Sequence, residues 1–234
     1  MGFLEKSSLY DIRSSFRDSI RRVIKRGFLV LVYCSGYLGV LPQGQTEALV
    51  SREILGGLST GKSIVLEGTL KQRERLRRWI QQINLVPIGE ETLSAIDSSN
   101  HQVLVRHSVD RLIVAGATLA PLSFNLTNGV GVDVEILFDC RIPDSGSHIV
   151  EGTDGRWIEF TAVENLFHEL SHARHKATGN WRSFDSEGQA IEDENIFRQQ
   201  MASMKGIAPV ALRGSTEGEQ IWFPDSIDLA MANQ

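Results

Sequence analysis

The segment from Glu164 to His175 reads ENLFHELSHARH and so contains HExxH. On a helix, His168 and His172 stand one turn apart on one face, so both imidazoles reach a single zinc ion at about 2.0–2.1 Å. Glu169 then lies beside them, placed for the attacking water. The flanking residues predict the helix independently of the motif. Thr161 followed by Glu164 is a capping box, Arg174, His175 and Lys176 crowd the last turn where the helix dipole favours cations, and Gly179 supplies the stop.

A zinc site needs a third protein ligand, and a second helix downstream offers it. Ser186 with Gln189 is read as the cap of a helix through Glu187, Ala190, Ile191, Glu194 and Arg198. At about 100° per residue those five share a face, whereas Glu192 points about 140° away from Glu187. The facing carboxylates are therefore Glu187 and Glu194. Glu187 is preferred as the ligand, because the start of the helix can sit over the metal on a short return loop while Glu194 orients a ligand histidine; Glu194 as ligand is the alternative. His175 lies about 10 Å along the axis from His168, too far for one ion to be shared with both ligand histidines, and reads as a cation of the last turn.

The remaining sequence bounds the class. A chain of 234 residues, 41% hydrophobic and 23% charged, can bury a real core, and a net charge of −5 gives no reason to expect nucleic acid. Cys34 and Cys140 fit no metal spacing and read as buried free thiols. Residues 1–45 are read as an N-terminal region and 46–234 as the metallopeptidase domain. In the first part, Leu4, Leu9, Ile12, Phe16, Ile20 and Ile24 recur near helical spacing between arginines, giving an amphipathic helix that lies on the domain, with a basic membrane-surface helix as the other reading. The apolar run Gly27 to Leu41 is too short to span a bilayer, lacks a cleavage pattern, and reads as a buried strand or hairpin or as part of a secretion or targeting region.

Gly56 to Ser63 satisfies GxxxxGK[ST], but the segment before it, Thr46 to Leu55, reads as helix, and Ser63 leads into the apolar run Ile64, Val65, Leu66, so the context of a phosphate-binding loop is missing. Residues 69–83 predict a basic helix with Leu70, Leu76, Trp79, Ile80 and Ile83 buried. Short strands are expected at Gln102 to Val105, Arg111 to Val114 and Val132 to Phe138, the last either with an edge able to pair with an extended peptide substrate or as a core strand without substrate contact. No tyrosine follows the HExxH motif, so Arg198, Arg213 or a histidine is expected to stabilise the oxyanion; the plain reading of Arg198 is a salt bridge to Glu194.

His168-Glu169-Leu170-Ser171-His172-Ala173, then Gly179, Glu187 with Ala190-Ile191, Glu194-Asn195 with Arg198, Gly206 and Arg213 together resemble the NleD-type effector zinc metallopeptidases. Ser59-Thr60-Gly61 before an apolar run is similar to a segment of that group. The likeness covers roughly residues 50 to 213 and is specific only over 164–198. Glu187 and Glu194 stand closer together than that family's two acidic motifs. The resemblance implies an α+β, gluzincin-like (zincin) domain with a small mixed or antiparallel sheet around the HExxH helix. It further implies a secreted effector or toxin, exported without a classical signal peptide, that cleaves a protein in the cytoplasm of a host or rival cell. Glu187-x-x-Ala190 is also similar to ImmA/IrrE-type regulatory metallopeptidases, which act in their own cytoplasm; the small-apolar run and proline of that group are absent, so it ranks lower. The expected set is zinc on His168, His172 and Glu187 or Glu194, with Glu169 and Arg198 as catalytic residues and a protein or peptide as substrate. The reading from another class is a non-catalytic zinc-binding interaction protein with a closed four-ligand site.

Overall fold

A computed structural model describes residues 50–55, 61–108, 115–146, 148–207, 210–214 and, for the backbone, 220–222. The expected amphipathic helix of residues 1–26, the apolar run to Leu41, Cys34, most of the Gly56 to Ser63 loop and the expected strand Arg111 to Val114 lie outside the described residues. Within them the protein is a mixed α+β fold. The elements are β1 (Ser51–Ile54), β2 (Ile64–Gly68), α1 (Leu70–Asn84), α2 (Pro87–Ser98), β3 (Val103–His107), β4 (Gly116–Leu119), β5 (Val134–Phe138), β6 (His148–Glu151), β7 (Trp157–Glu159), α3 (Ala162–Ala177), α4 (Ser186–Met204) and β8 (Gln220–Trp222).

The first sheet runs β1-β2-β3-β5-β4. Its centre is parallel, β2 with β3 and β3 with β5, and both outer strands are antiparallel to their neighbours. A parallel β2–β3 pair requires a crossover, and α1 and α2 supply it. A second sheet, β7-β6-β8, is antiparallel. Trp79 of α1 meets Phe138 of β5 edge-on at 5.6 Å, and Phe167 of α3 stacks on Phe197 of α4 at 4.3 Å, all four fully buried. These rings lie in one apolar core that joins the sheet to α1, α2 and α3.

Local chemistry explains the helix starts. Thr69 and Gln72 form a capping box on α1, and Pro87 opens α2 at the position where a missing N–H costs nothing. Helix α2 has no counterpart in the sequence reading, although Pro87 followed by Glu90, Leu93 and Ile96 carries its signal. Leu70, expected in the core, is exposed because it is the first residue of α1 and faces outward.

Four further points have physical reasons. The residues before Gly56 are a strand, β1, because Ile54 and its neighbours pair with β2 across a hairpin. The amides of Gly61 and Ser63 donate to the two carboxylate oxygens of Asp97, at 2.6 and 2.7 Å, so an internal anion takes the position a phosphate would need, and Ser63 is followed by a strand rather than a helix. Helix α4 starts after Asp185 with no side-chain cap; Ser186 is already helical and Gln189 bonds elsewhere. Strand β5 is not an edge: β3 and β4 pair with its two sides, which leaves β4 as the outer strand next to α3.

Candidate metal centre

Helix α3 presents the motif from a deeply buried position. Its capping box has the Thr161 hydroxyl accepting from the Glu164 amide at 3.3 Å and the Glu164 carboxylate accepting from the Thr161 amide at 2.8 Å. Gly179 ends it at φ 69°, and its carbonyl accepts from the Gly129 amide at 3.0 Å; a side chain there would strike the backbone of Gly129 and Val130.

His168 and His172 stand with ring centroids 4.8 Å apart and ring planes nearly perpendicular. Glu187, in the first turn of α4, faces both: Oε2 is 3.3 Å from His168 Nε2 and Oε1 is 3.1 Å from His172 Nε2. Ligand atoms at about 2.0–2.1 Å around a tetrahedral zinc are separated by about 3.3 Å, so two imidazole nitrogens and a carboxylate with this spacing fit that ion. Among the described residues, His168, His172 and Glu187 are the group of metal-ligating side chains close enough to share an ion. The Glu187 side chain is 53% exposed while the two histidines are under 10%, so the triangle opens toward solvent on the Glu187 side.

The other ring nitrogen of His168 faces a closed wall. Glu194 is fully buried, and its Oε2 lies 3.1 Å from His168 Nδ1 and accepts from Arg213 at 2.8 Å, while its Oε1 accepts from Arg198 Nε at 3.1 Å. Arg198 also donates to the Glu159 carbonyl and pairs with Glu164 at 3.2 Å. Arg213 is held through its backbone by Asn195, which both donates to its carbonyl and accepts from its amide. Phe160 lies against both guanidiniums. Both arginines thus lie on the Nδ1 side of His168, away from Glu187, and Arg198 takes its plain reading as a partner of Glu194.

Electrostatics follow from this wiring. Burial pushes the Glu194 carboxyl up, but His168, Arg198 and Arg213 outweigh it and hold the group at about 2. Burial likewise disfavours charge on His168, yet hydrogen bonds to Glu187 and Glu194 raise the metal-free imidazole to about 9. Hydrogen bonds from the two histidines hold Glu187 far below the usual carboxylate range. Glu194 at Nδ1 fixes the tautomer that offers Nε2 to an ion.

Glu169 is buried, and its Oε2 accepts from the Thr118 hydroxyl of β4 at 2.6 Å. His175 is turned away from the triangle: its Nε2 meets Asp193 at 2.9 Å and its Nδ1 accepts from Gln189 at 3.0 Å. Ser171 and Arg174 also bind Asp193, so this carboxylate ties α3 to α4. Thr118 and Asp193 escaped the sequence reading, and Lys176, read as a cation of the last turn, donates to the Thr118 carbonyl at 2.7 Å. Thr118 and Asp193 act on residues in other elements, 51 and 18 to 22 positions away in the chain, so no local pattern marks them.

No family model matches the chain, and no curated protein matches it. Among solved structures it is similar to the light chain of botulinum neurotoxin serotype HA, at TM-score 0.35 and 14% identity over 47% of this chain and 35% of that one. It is also similar to the light chain of botulinum neurotoxin type G, at TM-score 0.37 and 10% identity over 79% of this chain and 67% of that one. The match thus spans about a third of the length of the first light chain. At these scores neither light chain lends its fold or activity to this protein, and the functional reading rests on the residues themselves.

Proposed function

We propose that this protein is a zinc-dependent endopeptidase with a gluzincin-like site. The observation that carries the reading is the His168, His172 and Glu187 triangle, with Glu187 oxygens 3.3 and 3.1 Å from the two imidazole nitrogens and Glu169 next to His168 on the same helix. His168, His172 and Glu187 hold the ion, and Glu194 orients His168 from behind. What a bound zinc ion supplies is Lewis acidity, toward the scissile carbonyl and the attacking water. Glu169 takes the proton of that water and passes it to the leaving nitrogen. An extended substrate segment lies along the outer edge of β4, the strand that borders α3.

A closed, purely structural site would need Glu194 or His175 in the fourth position. Glu194 is engaged at Nδ1 of His168 and His175 with Asp193, which favours the catalytic reading. The resemblance to NleD-type peptidases supports a further step: the protein is an effector or toxin, and its substrate is a protein in the cytoplasm of another cell.

Elemental analysis of protein purified without added metal, paired with cleavage of labelled casein, tests the reading. About one zinc per chain is expected. Glu169→Gln keeps the zinc and the fold and loses roughly 10²- to 10⁴-fold in cleavage rate. A Glu169→Gln variant that cuts at the wild-type rate overturns the mechanism.

A further inference from the structure

Strand β4 reaches the motif helix with two side-chain positions, 116 and 118, which face the same way because alternate residues of a strand share a side. Both meet Glu169. The Thr118 hydroxyl is 2.6 Å from Glu169 Oε2 and 3.0 Å from the Glu169 carbonyl. At Gly116 a Cβ would stand 2.7 Å from Glu169 Cγ and 3.0 Å from Oε1, inside any real contact distance. Phe138 closes the remaining side, 3.0 Å from the same point. The glycine therefore leaves room for the Glu169 side chain, and the threonine fixes one of its two oxygens. Strand β4 is held in place for this from the other direction, since Lys176, two turns further along α3, donates to the Thr118 carbonyl at 2.7 Å.

We propose that Thr118 is a positioning residue for Glu169, and that Gly116 and Thr118 together set the rotamer in which Glu169 presents its Oε1 to the attacking water. The inference rests on the peptidase reading and adds to it where the base is held. A carboxylate has two oxygens with equal claim on the water's proton, and a flexible glutamate loses reach through free rotation. With Oε2 accepting from Thr118, the carboxylate plane is fixed and one oxygen is assigned to the reaction. The hydrogen bond is to a charged group, in a site largely closed to water, so its loss is felt at the level of roughly tenfold to a hundredfold in rate.

The test uses the full-length, zinc-loaded chain as wild type, Thr118→Val, Thr118→Ser and Gly116→Ala, with three readouts: zinc per chain, initial rate on labelled casein, and the dissociation constant of acetohydroxamate. Acetohydroxamate probes the zinc site without a known substrate, because it would bind the ion as the anion and the proton lost from its hydroxyl needs the Glu169 carboxylate as acceptor. Thr118→Val is isosteric and is expected to keep its zinc, while casein cleavage and acetohydroxamate affinity each fall about tenfold or more. Thr118→Ser restores both to within roughly threefold, since it returns the hydroxyl without the methyl group. Gly116→Ala keeps the hydroxyl but displaces the carboxylate, and falls at least as far as Thr118→Val. A zinc-loaded Thr118→Val with unchanged rate and acetohydroxamate affinity overturns the proposal, as does a Thr118→Ser variant that fails like Thr118→Val. A wild type that holds no zinc is a different result: it removes the peptidase reading itself.

Discussion

Glu187 and Glu194 stand two turns apart on the same face of α4, and the fold treats them in opposite ways. Glu187 is half-exposed and meets two imidazole nitrogens and no guanidinium. Glu194 is fully buried between Arg198, Arg213 and the back of His168. A fully buried carboxylate with three partners, two of them guanidiniums, is placed to orient its neighbours. One at the mouth of the site, with its two oxygens 3.3 and 3.1 Å from ring nitrogens, could share a cation with them. In the proposed reading, a helical periodicity that makes two residues equivalent is resolved by what packs against each turn.

The largest effect that can break this contrast is on zinc. Glu187→Ala is expected to empty the site on dialysis, whereas Glu194→Ala keeps the ion and weakens its binding about 10- to 100-fold, as loss of a histidine's orienting partner does. Elemental analysis and chelator competition measure both. The opposite ranking would exchange the two roles.

Stability sharpens the contrast in the reverse order. In metal-free protein, Glu194→Ala leaves Arg213 as an unpaired buried charge, while Arg198 keeps Glu164, and is expected to cost about 3–5 kcal/mol. Glu187→Ala removes a solvent-screened group and should change stability by less than about 1 kcal/mol. Urea titrations of the two variants decide it.

The smallest effect is the acid limb. Glu194 is held at about 2 against an ordinary value of 4.5, so its stabilisation is complete above pH 4.5 and is lost as the pH falls toward 2. The metal-free wild type should lose stability across that window, and Glu194→Gln should show a shallower slope there. Glu187→Gln should flatten the slope less, because solvent screens that group. Equal slopes in all three proteins would show that Glu194 does not carry the acid sensitivity assigned to it.

Local signals in the chain read well. The capping box at Thr161, the stop at Gly179, the basic and apolar pattern of residues 69–83 and the alternation of Val134, Ile136 and Phe138 each predicted an element that the structure contains, because each depends on residues a few positions apart. Where the signal was nonlocal the reading failed. Residues before Gly56 form a strand because β2 lies beside them, and β5 is interior because β3 and β4 pair with its two sides, which no pattern within the strand reveals.

The same division runs through the candidate site. Sequence alone determined that His168, Glu169 and His172 share a helix face and that Glu187 and Glu194 share another, since the period of a helix is fixed by its own hydrogen bonds. Only the tertiary structure decided which carboxylate faces Nε2 and which faces Nδ1, that Arg198 and Arg213 are committed to Glu194, and that Thr118 reaches Glu169 from β4. Those contacts depend on how α3, α4 and β4 approach one another, and that approach is set by the packing of Phe167 on Phe197 and of Asp193 among Ser171, Arg174 and His175, whose partners lie far apart in the chain.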